Sequence, residues 1–301
     1  MSAVLEASNP LAVAVPPGRA GLRQAVATEW TKLWSVRSTL WTLVATGVAV
    51  VGLCALSTGT VSPSDIIDDP TRRSLIGVFL GQLIFGVLGV LVMSAEYGTG
   101  TIRSTLSAMP RRTVMLVAKV LVFGLVAVVV SEILTFSAFT VGQAILSAKH
   151  AVGSSTAIAH RAEQLGLSVP HNLKGLLSSG SASLGQPDVL RAVVGAGLYL
   201  TVLGLLALGL ATIIRHTAGA ISAFVAVVLV LPLIVQALPI SISNAVARYL
   251  PANIGLVMFS THGVPDRVGH PFSPWAGFGL LVLYTAVALS VGAWVLLRRD
   301  A

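Results

Sequence analysis

The sequence predicts an all-α integral membrane protein. It has six transmembrane helices, an N-terminal interfacial helix, a short cytoplasmic helix and a re-entrant outer segment before the last span. Three observations predict this. Of the 301 residues, 55% are hydrophobic and only 10% are charged, whereas a soluble domain needs about 25% charged residues to cover its surface. Six runs come close to or exceed the roughly 20 apolar residues that cross a bilayer; they cover residues 40–58, 75–95, 114–146, 189–214, 218–238 and 275–297. Basic residues flank these runs, so the net charge of +8 reads as membrane topology and not as nucleic-acid binding.

Residues 1–18 read as a disordered cytoplasmic tail. Their only apolar stretch is Leu11–Val15, with no basic region before it and Pro16, Pro17 and Gly18 after it, which is no cleavable signal. Residues 19–301 then form one transmembrane domain, with no room for a soluble catalytic domain beside it. Within 20–38, Leu22, Val26, Trp30 and Leu33 recur at helical spacing, with Gln24, Thr28, Thr31 and Ser35 on the opposite face. With its tryptophans, Lys32 and Arg37, this amphipathic helix suits the bilayer interface. Glu29 interrupts the apolar stripe, and Lys32, one turn on, is expected to compensate it. The single cysteine, Cys54, lies inside the first apolar run as a small packed hydrophobe. It excludes an internal disulfide framework and a cysteine zinc cluster.

The loop after the second span begins Glu96, Tyr97, Gly98, Thr99, Gly100, Thr101, Ile102, Arg103. Gly98 and Gly100 supply a bend, Thr101 caps a short helix over 102–108, and Pro110 ends it. Ile102, Leu106 and Met109 share one face of that helix, which is expected to lie along the membrane. No strand precedes the glycines and no Gly-Lys-Ser/Thr follows them, so a phosphate-cradling nucleotide loop is excluded. The 114–146 run is too long for one upright crossing and too short for two, so it tilts strongly or projects. The outer loop 147–188 is rich in serine and glycine and carries no assigned function. Pro232 and Pro239 kink the end of the fifth span. Residues 245–259 are too short and too interrupted to cross, and form a re-entrant or interfacial hairpin at the outer leaflet.

With both termini cytoplasmic, the larger share of the 19 lysines and arginines falls inside. Several of the outer ones sit in the long 147–188 loop, where the positive-inside rule loses force. Asp65, Asp68 and Asp69 cluster outside. Arginine outnumbers lysine, and alanine and valine abound, a bias of GC-rich bacteria that points to a bacterial plasma membrane.

Two motifs resemble those of a known family. The stretch from Glu29 and Trp30 through Lys32 and Arg37 is similar to the interfacial elbow helix of type-2 ATP-binding cassette exporter permeases. The stretch from Glu96 and Tyr97 through Arg112, ending near Lys119, resembles that family's first cytoplasmic loop. Six spans, a long outer loop and a re-entrant pair before the last span also resemble that layout. The likeness covers nearly the whole chain in layout and about 40 residues in motif. It implies that Glu96, Tyr97, Gly98, Thr99, Gly100, Thr101, Ile102 and Arg103 form a coupling loop seated on an ATPase. Arg111 and Arg112 would anchor that loop to anionic headgroups. The chain has no Walker lysine or acidic magnesium ligand, so it is not an enzyme and holds no cofactor. ATP and magnesium belong on a separate ATP-binding subunit, and a second permease chain completes a homo- or heterodimer in the lipid bilayer.

Glu132 is the one acidic residue read as lying well inside a span, where a carboxylate costs about 2.5–3.5 kcal/mol and faces a cavity or a partner. Gln82 and Gln143 read as interhelical hydrogen-bonding groups. The six histidines show no His-x-x-x-His pair, which argues against a metal site, and no Gly-x-Ser-x-Gly elbow marks a hydrolase. Gly77 with Gly81, and Gly204 near Gly209, read as helix-packing positions. Two other functions remain open at this point: a proton-coupled secondary carrier that uses Glu132, and a non-transporting membrane anchor for a complex.

Overall fold

The structure, a computed structural model, describes residues 21–35, 37–61, 69–98, 112–153, 182–261 and 270–298. The predicted tail 1–18 and the 154–181 part of the outer loop lie outside the described residues. Every regular element among those described is helical. Helices α1 (Leu22–Ser35) and α2 (Arg37–Gly59) are followed by a single turn, α3 (Pro70–Ser74), and by α4 (Val78–Gly98). Next come α5 (Arg112–Gly153) and α6 (Pro187–Ile214). A fifth rod joins α7 (Thr217–Val225), a π turn (Ala226–Val230) and α8 (Leu231–Gln236). Two short helices, α9 (Ile240–Ala247) and α10 (Pro251–Met258), precede α11 (Pro274–Arg298).

Six of these rods are long and apolar enough to span a bilayer: α2, α4, α5, α6, the α7–α8 rod and α11. The chain is a multi-pass membrane protein. Helix α6 stands at the centre, buried at most positions between Val189 and Thr212, and packs against α4, α5 and α11. Helix α2 leans on α4 and α5 from outside. Large apolar side chains such as Val48, Leu125, Ile133 and Val287 face outward, as expected where lipid replaces water as the surrounding solvent.

Small residues let the rods approach closely. A Cβ on Gly77 would lie 2.0 Å from the Val50 carbonyl oxygen on α2, and one on Gly89 would lie 2.1 Å from the Gly204 carbonyl oxygen on α6. Polar side chains add hydrogen bonds between helices. The Tyr199 hydroxyl on α6 donates to Gln82 Oε1 on α4 at 2.6 Å, and Ser131 Oγ on α5 donates to the Gly197 carbonyl at 2.8 Å. Gln143 on α5 donates to Ser74 Oγ at 2.9 Å and accepts from the Ala182 N–H at 2.6 Å. Removing the Tyr199 hydroxyl strands Gln82 in the core, so Tyr199→Phe is expected to lower stability by about 1–3 kcal/mol, read as a lower unfolding temperature in detergent. An unchanged melt would show that the pair adds nothing.

Three expectations about the elements need correction. The third span is longer than 114–146: α5 is one continuous helix of 42 residues, about 63 Å at the helical rise. It absorbs residues 147–153 of the predicted outer loop, because neither Ser147 nor Lys149 breaks a helix. Lys149 reaches back instead to the Val61 carbonyl at 2.8 Å and to the Gly59 carbonyl. The kink at Pro232 takes the form of a π turn. Proline has no N–H to give, and the Leu231 N–H just before it donates five residues back to Ala226. Pro239 stands before α9 as its N-cap rather than within the span. The predicted 245–259 segment is a pair of short helices, α9 and α10, that begins five residues earlier, at Ile240.

Candidate functional site at the loop face

Helices α4 and α5 end and begin at the same face of the molecule, the loop face, where residues 99–111 connect them. Helix α1 lies across this face against α5. Its inward side is Ala25, Glu29 and Leu33, while Leu22 and Trp30 point outward. This rotates the predicted apolar stripe, because the charge at Glu29 has partners underneath. Trp30 and Trp34 pack together on the exposed side, with ring centroids 5.9 Å apart.

Four charges from three helices close a ring. Lys119 Nζ on α5 donates to Glu29 Oε2 on α1 at 2.5 Å and to Glu96 Oε1 on α4 at 3.0 Å. Lys32 Nζ on α1 donates to Glu29 Oε1 at 3.0 Å and to Glu96 Oε1 at 2.9 Å. Glu29, Glu96 and Lys119 are nearly sealed, with side chains 6%, 8% and 3% exposed, while Lys32 is 40% exposed and forms the rim. Burial works against the Lys32 ammonium, but Glu96 and Glu29 beside it outweigh that and raise it above the ordinary lysine value. The two positive and two negative charges cancel, so this largely buried cluster carries no net charge.

A second set of contacts flanks the ring. Arg215 ends α6 in the left-handed region, at φ 59°. Its guanidinium carbon sits 5.7 Å from the centre of the Tyr97 ring, and it donates to the Val295 carbonyl at 3.0 Å. Arg112, the first residue of α5, donates to the Leu296 carbonyl at 2.8 Å. Two arginines thereby satisfy carbonyls at the open C-terminal end of α11. Both borders of the 99–111 segment are pinned: Glu96 and Tyr97 on one side, Arg112 on the other. The sequence reading gave Arg112 to lipid headgroups; the structure gives it to α11.

The residues read from sequence divide as follows. Glu96, Tyr97 and Gly98 form the last turn of α4 and do not belong to a loop. Thr99, Gly100, Thr101, Ile102 and Arg103 lie outside the described residues, as does the side chain of Arg37. Glu29 and Lys32 pair as expected. Two further partners, Glu96 and Lys119, escaped that reading. Lys119 lies inside the predicted third span and Glu96 just past the end of the second, so Glu132 stays the one acidic residue well inside a predicted span but has a basic residue, Lys119, in the same span. Opposite charges on the N-terminal amphipathic helix and at the facing ends of two apolar runs were the signal.

Gln82 is held by Tyr199, as described. Glu132 sits about halfway along α5 with both carboxyl oxygens buried and without a hydrogen-bond partner among the described residues. It presses on Gly197 of α6, where a Cβ would fall 2.5 Å from Oε1. His216 caps α7 by accepting from the Gly219 N–H at 3.2 Å. No group of three histidine, cysteine or acidic side chains suited to a metal occurs among the described residues.

The fold and this face together define a polytopic α-helical membrane protein whose N-terminal helix α1 is tied by ion pairs to α4 and α5. No protein-family model and no curated protein sequence matches the chain.

Proposed function

We propose that this chain is the membrane permease subunit of an ATP-driven exporter of the type-2 ATP-binding cassette kind, working in a bacterial plasma membrane with the loop face in the cytoplasm. The ion-pair ring is the observation that carries this reading. It joins the elbow helix α1 to α4 and α5 beside the 99–111 segment, so a push on that segment moves all three helices together. In this reading the Glu96–Arg103 stretch docks on a separate ATPase, a second permease chain completes the pathway, and an amphipathic or lipid-like molecule moves outward. ATP binding and hydrolysis, with magnesium, take place on the partner.

Purification of the tagged chain with its native neighbours is expected to bring down an ATP-hydrolysing subunit, and reproducible absence of one counts against the reading. Gly100→Pro and Ile102→Asp are expected to abolish ATP-stimulated transport while membrane insertion stays intact. Unchanged transport in both would remove the coupling role.

The unpartnered Glu132 supports a second reading, a proton-coupled carrier. That reading requires uptake or efflux driven by a pH gradient without ATP, and its loss in Glu132→Gln. A membrane anchor without transport would show neither response.

A further inference from the structure

Arg248 stands in the break between α9 and α10, at the end of the molecule opposite the ion-pair ring. Its guanidinium carbon lies 4.9 Å from the centre of the Tyr249 ring and 5.3 Å from that of Phe272. The two rings meet edge to face at 5.4 Å. Nη2 donates to the Tyr249 hydroxyl at 2.9 Å. Nε is buried and finds no acceptor among the described residues. A neutral hydroxyl and two ring faces hold the cation in place, yet a charged N–H is left unanswered in a covered place, which proteins rarely tolerate.

Beside it is a cavity of about 10 Å³ lined by Arg248, Asn253, Ile254, Pro271, Phe272 and Pro274, among others. That is room for one oxygen-sized atom. Asn253 Nδ2 donates one N–H to the Ala247 carbonyl at 2.9 Å and keeps a second. The height is also informative. Helix α11 has 25 residues, about 37 Å of rise against a hydrocarbon core of about 30 Å. Its first turn, which supplies Pro274 to the cavity, therefore reaches headgroup level. Trp275 and Phe278 pair there at 6.0 Å, as aromatic residues do at a membrane interface.

We propose that Arg248, caged by Tyr249 and Phe272, is an oxyanion-binding site at the membrane surface that takes one oxygen of a phosphate group, carried either by a lipid headgroup or by a soluble anion. Guanidinium groups favour phosphate oxygens, the cavity has the size of one such oxygen, and the remainder of the ligand stays in the interface. The site stands independently of the transporter reading.

Native mass spectrometry of the full chain, titrated with phosphatidylglycerol and with diacylglycerol, tests this. One phosphatidylglycerol is expected to stay bound, and diacylglycerol, which lacks the phosphate, is not. Arg248→Gln should weaken that retention at least tenfold, Phe272→Leu should weaken it in part, and Arg23→Gln, a charge removed elsewhere, should leave it unchanged. Inorganic phosphate at millimolar concentration distinguishes the sources: displacement of the lipid assigns a soluble oxyanion, and failure to displace it assigns a headgroup. Equal retention in wild type and Arg248→Gln overturns the proposal. If Arg248→Gln does not fold, equal retention of the two lipids by wild type, or unweakened binding by Phe272→Leu, overturns it instead.

Discussion

Replacing Lys119 with methionine is expected to destabilise the protein by about 3 kcal/mol or more, the cost of leaving a buried charge without its partner. Methionine matches the length of the lysine stem, so packing is nearly preserved and the loss is electrostatic. Lys119 Nζ holds Glu29 Oε2 and shares Glu96 Oε1; without it, Lys32 alone faces two carboxylates, and the ring carries a net negative charge in a covered site. The added substitution Glu29→Gln makes the site neutral again and is expected to recover much of the loss, a coupling that separate single effects would not sum to. Thermal unfolding in detergent and the yield of monodisperse protein read both effects. A Lys119→Met melt equal to wild type would show that the ring is ornamental to stability, and a double variant no better than the sum of the singles would show that Lys119 and Glu29 are not coupled.

Gly89→Leu is expected to prevent α4 and α6 from meeting, with folded protein lost from the membrane fraction. Even Gly89→Ala places its Cβ 2.1 Å from the Gly204 carbonyl oxygen. That atom belongs to the backbone of the central helix and cannot rotate aside, so the rods must part, at about 1–3 kcal/mol for the alanine variant. Gly279 on α11 is the control, because nothing lies within 4 Å of its Cβ position. Gly279→Ala should be neutral or slightly stabilising through helix propensity. Equal melts for Gly89→Ala and Gly279→Ala would mean that the α4–α6 crossing yields more easily than its geometry implies.

The six rods were legible in the sequence because hydropathy depends on residues close together in the chain. So was the Glu29–Lys32 pair, three residues apart on one helix. The remainder of the ring was not. Lys119 meets Glu29 across 90 residues and Glu96 across 23, and no local pattern encodes which spans become neighbours. The same reason hid the tie between Arg112 and Leu296, which lie 184 residues apart. The outward turn of Trp30 followed from the ring, since the side of α1 that faces protein is the side with partners. Gly77 was marked as a packing position on spacing alone, but its contact with Val50 had to be seen in three dimensions. The overrun of α5 past residue 146 had a different cause. Hydropathy falls there while helix propensity does not, and a reading based on oiliness stops too soon.

The length of α5 has a mechanical consequence. At about 63 Å it is roughly twice the thickness of the hydrocarbon layer, so a rigid tilt about its middle would move both of its ends at once. A tilt of only about 10° would swing each tip by about 5 Å, in opposite directions. One end begins at Arg112, next to the ion-pair ring, and the other carries Lys149, which grips the carbonyls that close α2. A rod of this length, if it moves as a rigid body, would carry a displacement from one end to the other without passing it through loops.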